Sequence, residues 1–180
     1  MPFGFAPDLV MGNVTLDWSQ FQPGESVTVH WTVSNGGQQP IGSASTTAVR
    51  IISADSGTSV DVAAVPLPAL PGFGHADQSA TVTVPTTPGT YYISVIADSL
   101  GQVGEFWEAN NARQVPFLIT PPNSAEYSAE LTRLYDSVFD RDPDADVLAG
   151  WVYAMNHGKP LSQVAQALVT STEFKTPTES

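Results

Sequence analysis

Between Asp98 and Asn111 the chain gathers hard oxygen donors. Asp98 closes an alternating run, and Glu105, Glu108, Asn110 and Asn111 follow in the same segment. Carboxylate and amide oxygens at irregular spacing suit calcium, which takes roughly 6–8 oxygen ligands and tolerates uneven geometry. The same residues have a structural use. Asn side chains hydrogen-bond the backbone of their own loop, and the carboxylates would then face solvent or Arg113. That use takes precedence, because a calcium loop needs converging ligands and spacing alone does not establish convergence. On this reading the fold requires no cofactor, and calcium is the ion the loop could take.

Other candidate chemistry is thinner. Asp140, Asp142, Asp144 and Asp146 have the spacing that opens an EF-hand loop, but the sixth position is Ala145 rather than Gly and the twelfth is Trp151 rather than Glu. Aspartates before a helix are better explained by capping and the helix dipole. The three histidines, His30, His75 and His157, are far apart and lack ligand spacing. The chain has no His-Glu-x-x-His, no Gly-x-Ser-x-Gly and no glycine-rich phosphate loop. The residues point to no enzyme. Phe73, Phe106 and Trp107 lie in turn-rich segments and are candidate binding residues, since exposed aromatics stack on sugars or anchor in protein partners. The preferred expectation is that they pack, over an open end of the sandwich or against the helical unit, with Trp107 expected against the helical unit.

The elements that must position these groups are strands first and helices second. Tyr91, Ile93, Val95 and Ala97 alternate with Tyr92, Ser94, Ile96 and Asp98, and Val115, Phe117 and Ile119 alternate again. Period-2 patterning bounded by Gly, Pro and Asn predicts a strand pair joined by the acidic loop. Val27, Val29, Trp31 and Val33 likewise alternate with Thr28, His30 and Thr32, placing Trp31 in the core and His30 outside. Further strands are predicted over Asp8–Asp17 and Thr46–Ser53, and around Val60–Val62 and Ala80–Val84. The proline-rich stretch from Pro66 to Gly74 excludes a central strand there. Tyr91 is placed to hydrogen-bond across a corner.

Composition changes at Thr120-Pro121-Pro122-Asn123. Beyond it, Tyr127, Leu131, Leu134, Tyr135, Val138 and Phe139 form an apolar helical stripe. Asn123 with Glu126 reads as a capping box. Asp144 is the expected cap of a second helix ending at His157-Gly158, Ser162 that of a third, and Phe174 closes the set. The expected fold is therefore mostly β with a small all-α domain: an antiparallel β-sandwich followed by a three- or four-helix unit. The boundaries fall at 6–120 for the sandwich, 121–123 for the linker and 124–176 for the helices.

The totals agree with a packed fold. Of 180 residues 42% are hydrophobic and only 13% charged, which argues against disorder. A net charge of −12, with six basic residues, excludes nucleic acid as a natural partner. Cysteine is absent, so disulfides and thiolate zinc sites are excluded. The start lacks the pattern of a signal peptide, and no apolar run approaches the roughly 20 residues that span a bilayer.

Several motifs together resemble a known family. Ala6-Pro7-Asp8-Leu9-Val10, Pro23-Gly24-Glu25, Val33-Ser34-Asn35-Gly36-Gly37, Pro88-Gly89-Thr90-Tyr91, Ala97-Asp98 and Glu105-Phe-Trp-Glu108-Ala-Asn110-Asn111 resemble CARDB, the cell-adhesion-related domain of bacteria. The resemblance implies an immunoglobulin-like sandwich from extracellular and surface proteins. Phe106-Trp107 is bulkier than it leads one to expect. Leu134-Tyr135, Arg141-Asp142-Pro143-Asp144, Gly150-Trp151 and Ser171-Thr172-Glu173-Phe174 resemble a small helical domain of unknown function. That domain is often appended to secreted bacterial calcium-repeat proteins and is distantly similar to the phycobilisome linker fold. The resemblances imply a non-catalytic, secreted or cell-surface adhesion or assembly module whose partner is a protein or a glycan, with no membrane insertion. A carbohydrate-binding module using the aromatics, and a structural subunit that self-associates into a layer or fibre, are the rival expectations.

Overall fold

A computed structural model describes residues 6–105 and 107–171. Phe106, and the stretch from Thr172 that includes Phe174, lie outside the described residues. The chain divides into two compact units, one of residues 1–19 and 23–119 and one of residues 20–22 and 120–180.

The first unit is a β-sandwich. Its strands are β1 (Leu9–Leu16), β3 (Ser26–Asn35), β4 (Ser45–Ser53), β5 (Ser59–Leu67), β6 (His75–Thr83), β7 (Gly89–Ile96) and β8 (Ala112–Ile119); β2 (Gln20–Phe21) groups with the second unit. One sheet runs β1-β3-β6, and the other runs β8-β7-β4-β5 within this unit. The pairs β1–β3, β3–β6, β4–β5, β4–β7 and β7–β8 are all antiparallel. The alternation in β3 sets the register against β6. Val27, Val29, Trp31 and Val33 are all buried, His30 is exposed, and Trp31 lies opposite Gln78. Ile93, Val95, Phe117 and Ile119 bury the facing layer. Each such side chain contributes about 1.5–3 kcal/mol by leaving water. β5 is an edge strand, which is why it tolerates Pro66 opposite Thr46. Tyr91 donates its hydroxyl to the Thr87 carbonyl at 3.0 Å, the corner bond its position suggested.

A half-buried polar hub joins the strands. Gln78 Oε1 accepts from Trp31 Nε1 at 3.1 Å and from Thr47 Oγ1 at 3.0 Å, while Gln78 Nε2 donates to the Pro66 carbonyl at 2.8 Å. One amide thereby satisfies an indole in the core and ties β3, β4, β5 and β6 together.

The second unit holds α1 (Ser124–Phe139), α2 (Ala145–Asn156) and α3 (Leu161–Thr170). Leu131, Tyr135, Met155, Val164 and Leu168 form its core, with Tyr127, Leu134, Phe139, Leu148, Trp151, Val152 and Leu161 packed around it. Three capping expectations need correction. Asn123 makes no side-chain cap; its Nδ2 donates to the Glu126 carboxylate instead. The start of α1 is held from α2, where the buried Asn156 accepts the Asn123 N–H at 2.8 Å and donates to Ser124 Oγ at 3.0 Å. Ser162 lies inside α3, which begins after Pro160, and Asp144 precedes α2 without a side-chain cap bond. A long-range partner supplies what the local motif was expected to supply.

Candidate functional site

The pairing registers bring several loops to one end of the sandwich. β1 begins opposite the end of β3, β6 begins there too, and β7 ends where β8 starts. The loops at that end are 36–44, 68–74 and 97–111. Asp8, which leads into β1, joins them: its carboxylate accepts from Asn110 Nδ2 at 3.0 Å, and its N–H donates to Asn35 Oδ1 at 3.1 Å.

Asp98 organises the acidic loop. It is buried and sits in the left-handed region at φ 46°. Its carboxylate caps the turn that follows, accepting from the Gln102 N–H on Oδ1 and the Val103 N–H on Oδ2, each at 2.8 Å. Both oxygens are therefore committed to backbone. Glu108 to Asn110 form a single 3-10 turn, which lifts Glu108 toward Asn111. Asn111 is 4% exposed, and its Nδ2 donates to Glu105 Oε1 at 3.1 Å and to Glu108 Oε2 at 3.2 Å. Glu105 Oε2 accepts the Leu9 N–H, so this carboxylate binds the start of β1 to the loop. Burial pushes the Glu105 carboxyl up to about 6; the bonds from Leu9 and Asn111 oppose that rise, and the charges of Glu108 and Asp98 add to it.

Of the five oxygen donors expected in the loop, the fold thus brings Glu105, Glu108 and Asn111 together. Asp98 lies within electrostatic reach but serves the backbone, and Asn110 turns to Asp8. No three His, Cys, Asp or Glu side chains cluster as metal ligands among the described residues. Among the described residues, Arg113 forms no ion pair with these groups.

Packing, the expected role of the aromatics, is not what Phe73 and Trp107 do: both are displayed at the same end. Phe73 is 70% exposed and Trp107 is 59% exposed, with Leu100 on the acidic loop also at 70%. Phe73 adopts φ 58°, a left-handed conformation unusual for a bulky residue. Its N–H donates to the Gly37 carbonyl at 3.1 Å, and a Cβ on Gly72 would lie 2.1 Å from the Gln38 carbonyl oxygen. Two loops clamp the strained backbone and leave the ring outside. Positive φ at Phe73, between two glycines, is a signal that the sequence reading missed.

Asp140 ends α1 in a left-handed conformation, donating its N–H to the Asp136 carbonyl, and Arg141 Nη1 lies 3.8 Å from Asp144 Oδ1. Asp140 thus closes α1 through its backbone, and Asp144 stands before α2 without the side-chain cap bond expected of it.

The CARDB family model matches residues 6–115. The chain belongs to the CARDB family. A second model, a domain of unknown function (DUF4214), matches residues 124–178. Both are non-enzymatic domain families. No curated protein matches the sequence. Among solved structures, a crystal structure of a CARDB domain from Pyrococcus furiosus, described as in complex with di-metal ions, is 21% identical, covers 67% of this chain and 95% of its own, and has a TM-score of 0.49. The solution structure of a Pyrococcus furiosus CARDB domain is 21% identical over 64% of this chain and 97% of its own, with a TM-score of 0.51, and shares the sandwich. β-Glucosidase 3B from Thermotoga neapolitana, in complex with α-D-glucose, is 13% identical over 62% of this chain but only 16% of its own, with a TM-score of 0.47. No helix among the described residues is long and apolar enough to cross a membrane.

Proposed function

We propose that this chain is a non-catalytic adhesion or assembly module of a secreted or surface-attached bacterial protein, and that its CARDB sandwich binds a surface protein through the loop end described above. The observation that carries this reading is Phe73. A left-handed conformation for a non-glycine residue costs about 1–2 kcal/mol, and strain of this kind collects at binding sites. Here it presents a ring to solvent, at the end of the sandwich that also bears the loop of Trp107 and Leu100. Rigid aromatics held outside a folded scaffold are what protein interfaces use as anchors. CARDB membership supports a bacterial setting without naming the partner.

Beads coated with the full chain test this. Adhesion to bacterial cells should fall sharply with Phe73→Ala and Trp107→Ala at unchanged melting temperature. Equal adhesion by both variants would remove the reading. Retention on protease-treated cells, with inhibition by soluble surface glycan, would assign the surface to carbohydrate instead. Bead-to-bead clumping would favour self-association, for which β5 offers a nine-residue edge strand with Val60 58% exposed.

A further inference from the structure

We propose that Glu105, Glu108 and Asn111 form a calcium site in which the Asn111 amide oxygen joins the two glutamate carboxylates. This goes beyond the adhesion reading and stands apart from it, because it concerns what fills the loop and not what the loop end binds.

One buried side chain, Asn111, is unevenly partnered. Asn111 places its Nδ2 between two anionic groups, 3.1 Å from Glu105 Oε1 and 3.2 Å from Glu108 Oε2. Its Oδ1 is buried and has no hydrogen-bond partner. One end of the amide therefore serves two carboxylates while the other end serves nothing, although buried polar groups are ordinarily satisfied. A weakly positive N–H₂ bridging two carboxylates marks the place where a cation would sit. Calcium–oxygen distances are about 2.3–2.6 Å, so an ion bound there lies beside the present Nδ2 position, between the two carboxylates and within reach of the amide.

Turning the Asn111 amide end for end completes the site. The two ends are nearly the same shape, so inversion needs no change of volume. It delivers Oδ1 to the side now occupied by Nδ2. Without a cation that would set three acceptors against one another; with one, it converts an orphaned oxygen into a ligand. The preceding residue carries a second orphan, since Asn110 Oδ1 is also buried and unpartnered. Two carboxylates, amide oxygens and water can supply the roughly 6–8 oxygens that calcium accepts in irregular array. Magnesium demands near-ideal octahedral geometry and gives up water reluctantly, and the set contains no imidazole or thiolate for a transition metal. Asp98 is outside the site, both its oxygens being held by Gln102 and Val103. Loading would stiffen the junction where Glu105 meets the Leu9 N–H and Asn110 meets Asp8.

The test uses the full chain freed of metal with EDTA. Calcium chloride should raise the melting temperature saturably, and magnesium at equal concentration should raise it less. Terbium luminescence excited through Trp107, the neighbour of Glu108, should report a single site that calcium displaces. Glu108→Gln should weaken terbium roughly tenfold or more. Asn111→Asp provides an independent measure: it should melt below the natural chain in EDTA, where three carboxylates repel, yet gain more from calcium. If Glu108→Gln fails to fold, rescue of Asn111→Asp by calcium still supports the site. A natural chain indifferent to calcium together with an unrescued Asn111→Asp would overturn it. So would a calcium response identical in Glu105→Gln, Glu108→Gln and the natural chain, which would place the ion elsewhere.

Discussion

Replacing Asp98 with Asn separates a carboxylate that builds the loop from carboxylates that could hold an ion. Asp98 accepts two backbone N–H groups, one on each oxygen, at 2.8 Å. Hydrogen bonds to charged groups are worth about 1.5–3 kcal/mol each. Asparagine keeps one acceptor, loses the charge, and turns an N–H₂ group toward an N–H donor. It also tolerates the left-handed conformation at φ 46°, so the backbone contributes no new strain. The expected loss is about 2–3 kcal/mol from the sandwich. With a urea m-value of about 1–3 kcal/mol/M, the midpoint should fall by roughly 1–2 M. Unfolding of the full chain followed by tryptophan fluorescence gives the global change, and amide exchange at Gln102 and Val103 gives the local one. The calcium response should survive in the folded variant. A loss under about 0.5 kcal/mol with unchanged exchange at those amides would refute the structural role. Abolition of the calcium response at full stability would show that Asp98 is a ligand after all.

Three further outcomes follow from the same geometry. Asn156→Ala leaves the Asn123 N–H and Ser124 Oγ without partners, so the helical unit should lose about 2 kcal/mol; thermal melts at 222 nm read this, and a change below about 0.5 kcal/mol would count against it. Glu105 carries a folded pKa of about 6 against an ordinary 4.5, so the fold prefers its neutral form. That preference is fully present below pH 4.5 and lost as pH rises through 6. In EDTA the natural chain should therefore lose stability across this window relative to Glu105→Gln, by about 1 kcal/mol once solvent screening of a half-exposed group is allowed for. A flat difference between the two proteins would contradict it. Phe73→Gly should raise or leave unchanged the melting temperature, because glycine adopts φ 58° without steric cost, while cell adhesion falls; a clear loss of stability would mean that the ring packs rather than projects.

The strands were legible because their pattern is local. Val27, Val29, Trp31 and Val33 repeat at period two, and only one register buries them all against the facing sheet. The helices were legible in their stripes and poorly legible at their ends. Asn123 and Glu126 have capping-box spacing, but Asn156, distant in sequence, takes the Asn123 N–H. The Gln78 hub was invisible for a similar reason. A half-buried glutamine in an alternating strand calls for partners, but Trp31, Thr47 and Pro66 come from three other strands.

The acidic loop shows why residue type alone could name donors without ranking them. Asp98, Glu105 and Glu108 are equivalent on the page of the sequence, and what distinguishes them is how many of their lone pairs the fold has already engaged. Asp98 has a backbone N–H on each oxygen. Glu105 has one backbone N–H, from Leu9, and a share of Asn111. Glu108 accepts from the shared amide of Asn111. A carboxylate held by backbone cannot turn to an ion without undoing the loop, whereas one held by a rotatable amide can. The sensitivity of calcium binding to neutralisation should therefore rise in the order Asp98, Glu105, Glu108, and the sensitivity of folding should run the opposite way. Measuring both properties on the three carboxylate-to-amide variants tests that inverse order directly. Parallel orders would mean that ion binding and loop architecture draw on the same atoms, and the division of labour argued from these hydrogen bonds would fail.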